Sequence, residues 1–244
     1  MLRRSLAAEW LKLRHSRLWM ILIILPLISV FIGSANYYLN QGVLTKEWYS
    51  LWSQVGLFYG EFFFPILIAI CCAYLWRLEH MNHNWNMIMT APVTVASIFL
   101  SKLIIIGLLI GVVQGILFLL YYAAGHLLGL PRELPEELFG WLFRGWIAGL
   151  TIGTLQLALS MRLRSFAVPV GMGLCATFLG LAMYVMDLGL FFPHSLLTIG
   201  MGVLNQSGLS SYREHVLFLL VNLFYMIIIS LLAIRWLSKK DVVA

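Results

Sequence analysis

Residues 98–122 read IFLSKLIIIGLLIGVVQGILFLLYY, with one charge, Lys102, near the beginning. At about 1.5 Å of rise per residue, a helix of this length crosses the roughly 30 Å of hydrocarbon in a bilayer. The run lacks the two-residue alternation of a barrel strand. Because lipid offers no partner to unpaired backbone groups, the spacing predicts a transmembrane helix. Working outward, five further apolar runs of similar length occupy residues 18–38 and 55–76 on one side and 138–160, 165–186 and 216–237 on the other.

Composition agrees. Of the 244 residues 61% are hydrophobic and 11% charged, against about a quarter charged in a soluble domain. Six spans consume about 120 residues, so residues 1–244 are expected to form a single all-α membrane domain. Three cysteines, two of them adjacent (Cys71 and Cys72), supply neither a disulfide framework nor a zinc spacing. The basic start followed by an apolar run superficially resembles a signal peptide. The run is long enough to span, however, and nothing after it reads as a secreted domain.

The basic residues orient the chain. With the N-terminus inside, all but four of the 16 fall in cytoplasmic segments or adjoining helix ends, from Arg3, Arg4, Lys12, Arg14 and Arg17 through Arg77, Lys102, Arg162 and Arg164 to Arg235, Lys239 and Lys240. Lys46, Arg132, Arg144 and Arg213 are left outside. That asymmetry predicts both termini in the cytoplasm and an even number of spans. The net charge of +6 then reports topology and anionic lipid, and no nucleic-acid-binding arm is expected.

Three connections carry more than linkage. Residues 1–17 place Leu6, Trp10 and Leu13 at helical spacing among basic residues, which suits an interfacial helix. Residues 77–97 mix Glu79, His80, Asn82, His83, Asn84 and Asn86 with Trp85, Met87, Ile88 and Met89, too polar to span and too apolar for a free loop. Residues 187–215 contain the apolar run 195–204, whose length matches a short re-entrant or extracellular helix.

Several residues could carry chemistry. Glu79, His80 and His83 are the most metal-like group, since an i, i+3 histidine pair shares a helix face. No third ligand converges on them, and a docking surface is the competing reading. Glu61 and Arg144 each sit below the outer end of a span. An isolated charge there is costly, so they are expected either to pair with each other or to snorkel outward. Gly107, Gly111 and Gly115 form a small-residue stripe for close helix packing, within the chain or between copies. The aromatics Tyr37, Tyr38, Trp48, Tyr49, Trp52, Phe58 and Tyr59 read as an interfacial belt that could also touch a substrate. No Gly-x-Ser-x-Gly elbow, His-Glu-x-x-His helix or Gly-x-x-x-x-Gly-Lys loop occurs. Any ATP energy therefore has to come from another subunit.

The segments Glu9-Trp10-Leu11-Lys12-Leu13-Arg14-His15-Ser16, Arg77-Leu78-Glu79-His80 followed by Trp85, Thr90-Ala91-Pro92-Val93 and Ser101-Lys102 resemble permease subunits of type-2 ATP-binding-cassette exporters. Asn36-Tyr37-Tyr38-Leu39-Asn40-Gln41, Trp48-Tyr49-Ser50-Leu51-Trp52 and the run from Trp76 to Asn86 are similar to the lantibiotic-immunity branch of bacterial permeases. The Asn- and His-rich elbow departs from many drug exporters, which often have Gly or Thr there. The resemblance implies a coupling helix around residues 79–89 between spans 2 and 3, resting on a separate ATPase subunit, with Glu79, His80, His83, Trp85 and Met89 as contacts and Glu79 as the polar anchor. It implies two ATPase copies holding ATP and Mg, a second permease, identical or different, and a place in the bacterial cell membrane. The substrate would be an amphipathic peptide antibiotic, met at the outer face near Tyr37, Tyr38, Trp48 and Trp52.

Other readings are an exporter of another lipid-like or drug substrate, a membrane-embedded metal hydrolase using His80 and His83, and a proton-coupled carrier using Glu61.

Overall fold

The computed structural model describes residues 2–14, 16–81, 93–206, 209 and 211–239. These residues are helical, with no strand among them. In chain order the helices are α1 (Leu2–Arg14), α2 (Leu18–Leu39), α3 (Glu47–Phe58), a π turn (Tyr59–Phe63), α4 (Phe64–His80), α5 (Val95–Leu127), α6 (Leu138–Arg162), α7 (Ala167–Val185), a 3-10 turn (Gly189–Phe191), α8 (Ser195–Met201) and α9 (Tyr212–Ser238). Six helical rods are long and apolar enough to cross a membrane: α2, the continuous rod Glu47–His80, α5, α6, α7 and α9.

Local chemistry sets the ends. Thr94 caps α5 by accepting from the Ser97 backbone N–H at 3.3 Å. Ser211 and Glu214 form a reciprocal capping box at the start of α9. Gly202 closes α8 in the left-handed region at φ 58°, where a side chain is disfavoured. The second rod begins at Glu47, one turn before Ser50, and not at residue 55 as hydropathy alone predicts. It stays helical through polar Ser53 and Gln54 and passes a π turn to reach Pro65, which sits in the first turn of α4 and needs no N–H donor there.

The rods cross in alternation, so one end of the bundle, here called proximal, collects α1, the end of α4, the start of α5, the α6–α7 turn and the end of α9. His80 Nε2 lies 3.2 Å from the Ser160 carbonyl oxygen, and the Arg77 and Arg162 guanidiniums stand over the rings of Phe166 and Trp236 at 5.5 and 5.2 Å. At the distal end, Trp48, Trp52, Tyr121 and Trp141 stack into a buried aromatic core, with Trp52 and Trp141 rings 5.2 Å apart and nearly parallel.

The core centres on α6, which packs against α4, α5, α8 and α9. Glycines make this closeness feasible. A Cβ at Gly33 would lie 2.5 Å from the Val55 Cα, so α2 and α3 meet backbone to backbone. Gly107 and Gly111 receive Leu150 and Trp146 of α6, and the Trp146 indole donates to the Gly107 carbonyl at 2.9 Å. Two of the three stripe glycines, Gly107 and Gly111, thus serve packing of α5 on α6, whereas a Cβ at Gly115 would meet nothing within 4 Å. Polar pins add specificity: Thr151 donates to Asn222 Oδ1 at 2.7 Å, joining α6 to α9. The outer face of α9, including Leu220, Phe224, Ile227 and Leu231, is left exposed, as a lipid-facing surface requires.

Candidate functional site

Four charged side chains meet at the proximal end. Lys102, on the first turns of α5, has no exposed surface and points between α1 and α4. Its ammonium donates to Glu9 Oε2 at 2.9 Å, Glu79 Oε1 at 2.9 Å and the Leu75 carbonyl at 3.1 Å, and it lies 4.9 Å from the Trp76 ring centroid. Lys12 completes a closed quartet by bonding both Glu9, at 2.9 Å, and Glu79. Glu9 and Lys12 reach the same side because they lie three residues apart on one helical face.

The energetics of this quartet differ from those of a surface salt bridge. Two ammonium groups balance two carboxylates, and the Lys102 donors are all used, so dehydration of each charge is offset by several short bonds. Around Lys12, burial opposes the charged form, but the carboxylates of Glu9 and Glu79 outweigh it and hold the ammonium above the ordinary lysine value. The result is a polar clasp that fixes α1 across the ends of α4 and α5.

This geometry changes the reading of Glu79. It is 2% exposed, and its Oε1 accepts from both Lys12 and Lys102 within the chain, so its described contacts are internal ones. The requirement to neutralise Lys102 draws it inward. Through these bonds it positions α1 and the two helix ends. His80 faces the Ser160 carbonyl oxygen in the α6–α7 turn, while His83, Trp85 and Met89 lie outside the described residues. Among the described residues, no three His, Cys, Asp or Glu side chains gather as a metal site would need.

Glu61 and Arg144 do not pair. Arg144 donates from Nε to the Gly200 carbonyl at 3.0 Å and lies 3.2 Å from His215 Nε2. Glu61, buried within the π turn, faces Thr198 of α8, and its Oε1 has no partner among the described residues. The short helix α8 stands between the two and takes up both contacts, an arrangement that span-by-span reading cannot foresee.

Of the aromatic residues expected to meet a substrate, only Tyr38, 64% exposed, is accessible. Tyr37, Trp48 and Trp52 are buried. The Trp48 and Trp52 indoles donate to the carbonyls of Pro131 at 2.8 Å and Met201 at 2.9 Å, and Trp48 accepts from the Tyr121 hydroxyl at 2.6 Å. They build the distal core because α3 is a packed helix and not part of a loop.

What the distal end does offer is a cavity of about 560 Å³ lined by Lys46, Tyr49, Ser50, Ser53, Glu137, Val203, Leu204, Asn205 and Gln206. The Tyr49 hydroxyl donates to Glu137 Oε2 at 2.7 Å, which holds the Glu137 carboxyl below its usual range. Gln206 donates to the Tyr49 carbonyl at 2.6 Å, tying the segment after α8 to α3. The sequence gives little signal for this cavity, because its walls come from three segments up to 160 residues apart. Only the outward charges of Lys46 and Glu137 could have hinted at it.

A charge-clasped N-terminal helix, six crossings and a short helical insertion before the last crossing form one connected architecture. The model of the ABC-2 family transporter proteins matches residues 5–180, from α1 through most of α7 and well over half of the chain. The chain belongs to the ABC-2 transporter family. The match includes all four clasp residues, Glu9, Lys12, Glu79 and Lys102, with α4 and α5 entire and α1 from residue 5 on. An ABC-2 protein of this kind is the membrane-spanning transport subunit and works with an ABC ATPase subunit. No curated protein matches the chain.

Proposed function

We propose that this ABC-2 protein is the permease of a bacterial exporter that expels an amphipathic peptide antibiotic, with its proximal end in the cytoplasm. Two ATPase subunits drive a pair of such permeases. The observation that carries the coupling is the clasp: Lys102 and Glu79 join α1 to the two helix ends bracketing residues 82–92, where an ATPase would push. Movement imposed there cannot remain local, since the buried ion bonds transmit it to α1, α4 and α5 together. The excess of Arg and Lys at the proximal end supports the orientation. The peptide substrate rests on the sequence resemblance and is consistent with a polar cavity at the distal face.

The test is co-expression with candidate ABC ATPase subunits from the native host. Peptide-stimulated ATP hydrolysis should require both chains in liposomes. A cysteine placed at Asn205 should react with a membrane-impermeant maleimide on intact cells, and one placed at Ser5 should not. ATP-independent export, or the reverse labelling pattern, refutes the proposal.

A further inference from the structure

The distal cavity lies in a face whose charge opposes that of the whole chain. At the distal connections and helix starts stand Lys46, Arg132 and Arg213, with Arg144 beside His215, against Glu47, Glu133, Glu136, Glu137, Asp187 and Glu214. Four cations face six carboxylates there, although the protein carries a net charge of +6. Positive-inside topology explains the scarcity of cations at this end; it does not call for carboxylates, because Asp and Glu contribute little to orientation.

The cavity is also a built structure. Its walls are cross-linked by the bonds from Tyr49 to Glu137 and from Gln206 to Tyr49, and the Lys46 backbone N–H donates to Ser50 Oγ at 2.9 Å. Glu47, next to Lys46 at the rim, is held at φ 44°, in a region where non-glycine residues are strained and which recurs at binding sites. Its lining is mostly polar, with one cation, Lys46, and one carboxylate, Glu137, and Val203 and Leu204 add apolar surface. At about 560 Å³ the volume suits a small ligand or the end of a larger one.

We propose that this cavity recognises an ammonium group on an amphipathic peptide, with the Glu137 carboxylate as counter-ion, the Ser50, Ser53 and Asn205 side chains meeting neighbouring amides, and Leu204 meeting the adjoining apolar side chain. The proposal deepens the exporter reading and rests on it for the peptide. Tyr49 acts here as a positioning residue, orienting the carboxylate through its hydroxyl. The acidic surround draws a cationic ligand toward the site.

The test uses the full-length protein in discs of phosphatidylcholine. The probe is an N-acylated Lys-Lys dipeptide amide bearing a neutral fluorophore, compared with its doubly acetylated form, which lacks both charges. The cationic probe should bind roughly fivefold more tightly than the acetylated one, the upper range of a solvent-exposed ion pair reinforced by a charge-assisted hydrogen bond. Glu137→Gln should remove that difference. Glu133→Gln, on the same connection but outside the cavity lining, should change it by less than about twofold, and raised salt should weaken the wild type toward the variant.

Equal affinity for the two probes, or equal effects of Glu137→Gln and Glu133→Gln, overturns the assignment. So does loss of probe binding when phosphatidylethanolamine replaces phosphatidylcholine, which would assign the cavity to a lipid headgroup. Co-purification separates the two levels. An ATPase that associates while Glu137→Gln binds like wild type sinks the cavity assignment alone, and failure of any ATPase to associate sinks the exporter reading whatever the probes do.

Discussion

Replacing Lys102 with methionine keeps the length of the side chain and removes its charge. The structure allows the consequence to be worked out. Lys102 supplies three bonds, to Glu9, Glu79 and the Leu75 carbonyl, from a position with no exposed surface. Without it, two buried carboxylates share the Lys12 ammonium, which is one-third exposed. Removing one partner of a buried ion pair costs about 3–5 kcal/mol, chiefly because the other charge is stranded. Lys102→Met should therefore destabilise the protein by about 3–5 kcal/mol in reversible unfolding from mixed micelles, and a cysteine at Leu13, buried on α1, should label faster as α1 lifts. Combining it with Glu79→Gln leaves one carboxylate and one ammonium, so the double variant should recover at least about 1 kcal/mol relative to additivity. A single variant within about 1 kcal/mol of wild type, together with an additive double variant, would refute the clasp.

Two further outcomes follow from packing and from titration. Gly33→Ala sets a methyl group against the backbone of Val55, which cannot rotate away, and should cost about 1–3 kcal/mol in the same unfolding measurement while Gly42→Ala, in open space, costs little. Burial pushes the His194 imidazole down from 6.5 to about 4, so the folded protein holds it neutral where the unfolded chain protonates it. Stability should be unaffected by His194 above about pH 6.5 and fall by about 3 kcal/mol as pH drops from there toward 4. His194→Leu should flatten that part of the profile, and an unchanged profile would contradict the burial.

The crossings were legible because hydropathy is a local property. Residues 98–122 declare a span without reference to anything else, and Thr94 marks its beginning through its own capping bond. The second rod was harder, since Glu47, Ser50, Ser53 and Gln54 lower the hydropathy of a helix that is buried by its neighbours. Trp48 and Trp52 consequently read as belt residues when they are core. The clasp was half visible: Glu79 and Lys102 could be singled out as charges beside spans, but their joining depends on three helices converging, with partners 23 to 93 residues apart. The Glu61 and Arg144 pairing failed for a related reason. Depth alone does not reveal that α8 intervenes and supplies the Gly200 carbonyl and the Thr198 hydroxyl.

The clasp also imposes an order on biogenesis. Glu9 is synthesised well before its partner Lys102, which follows it by 93 positions. Until the third crossing has been translated, the leading helix has no completed counter-charge set and must wait at the surface of the bilayer. A helix made before all six crossings is thus seated only after the third, and its docking depends on two later crossings being inserted the right way round.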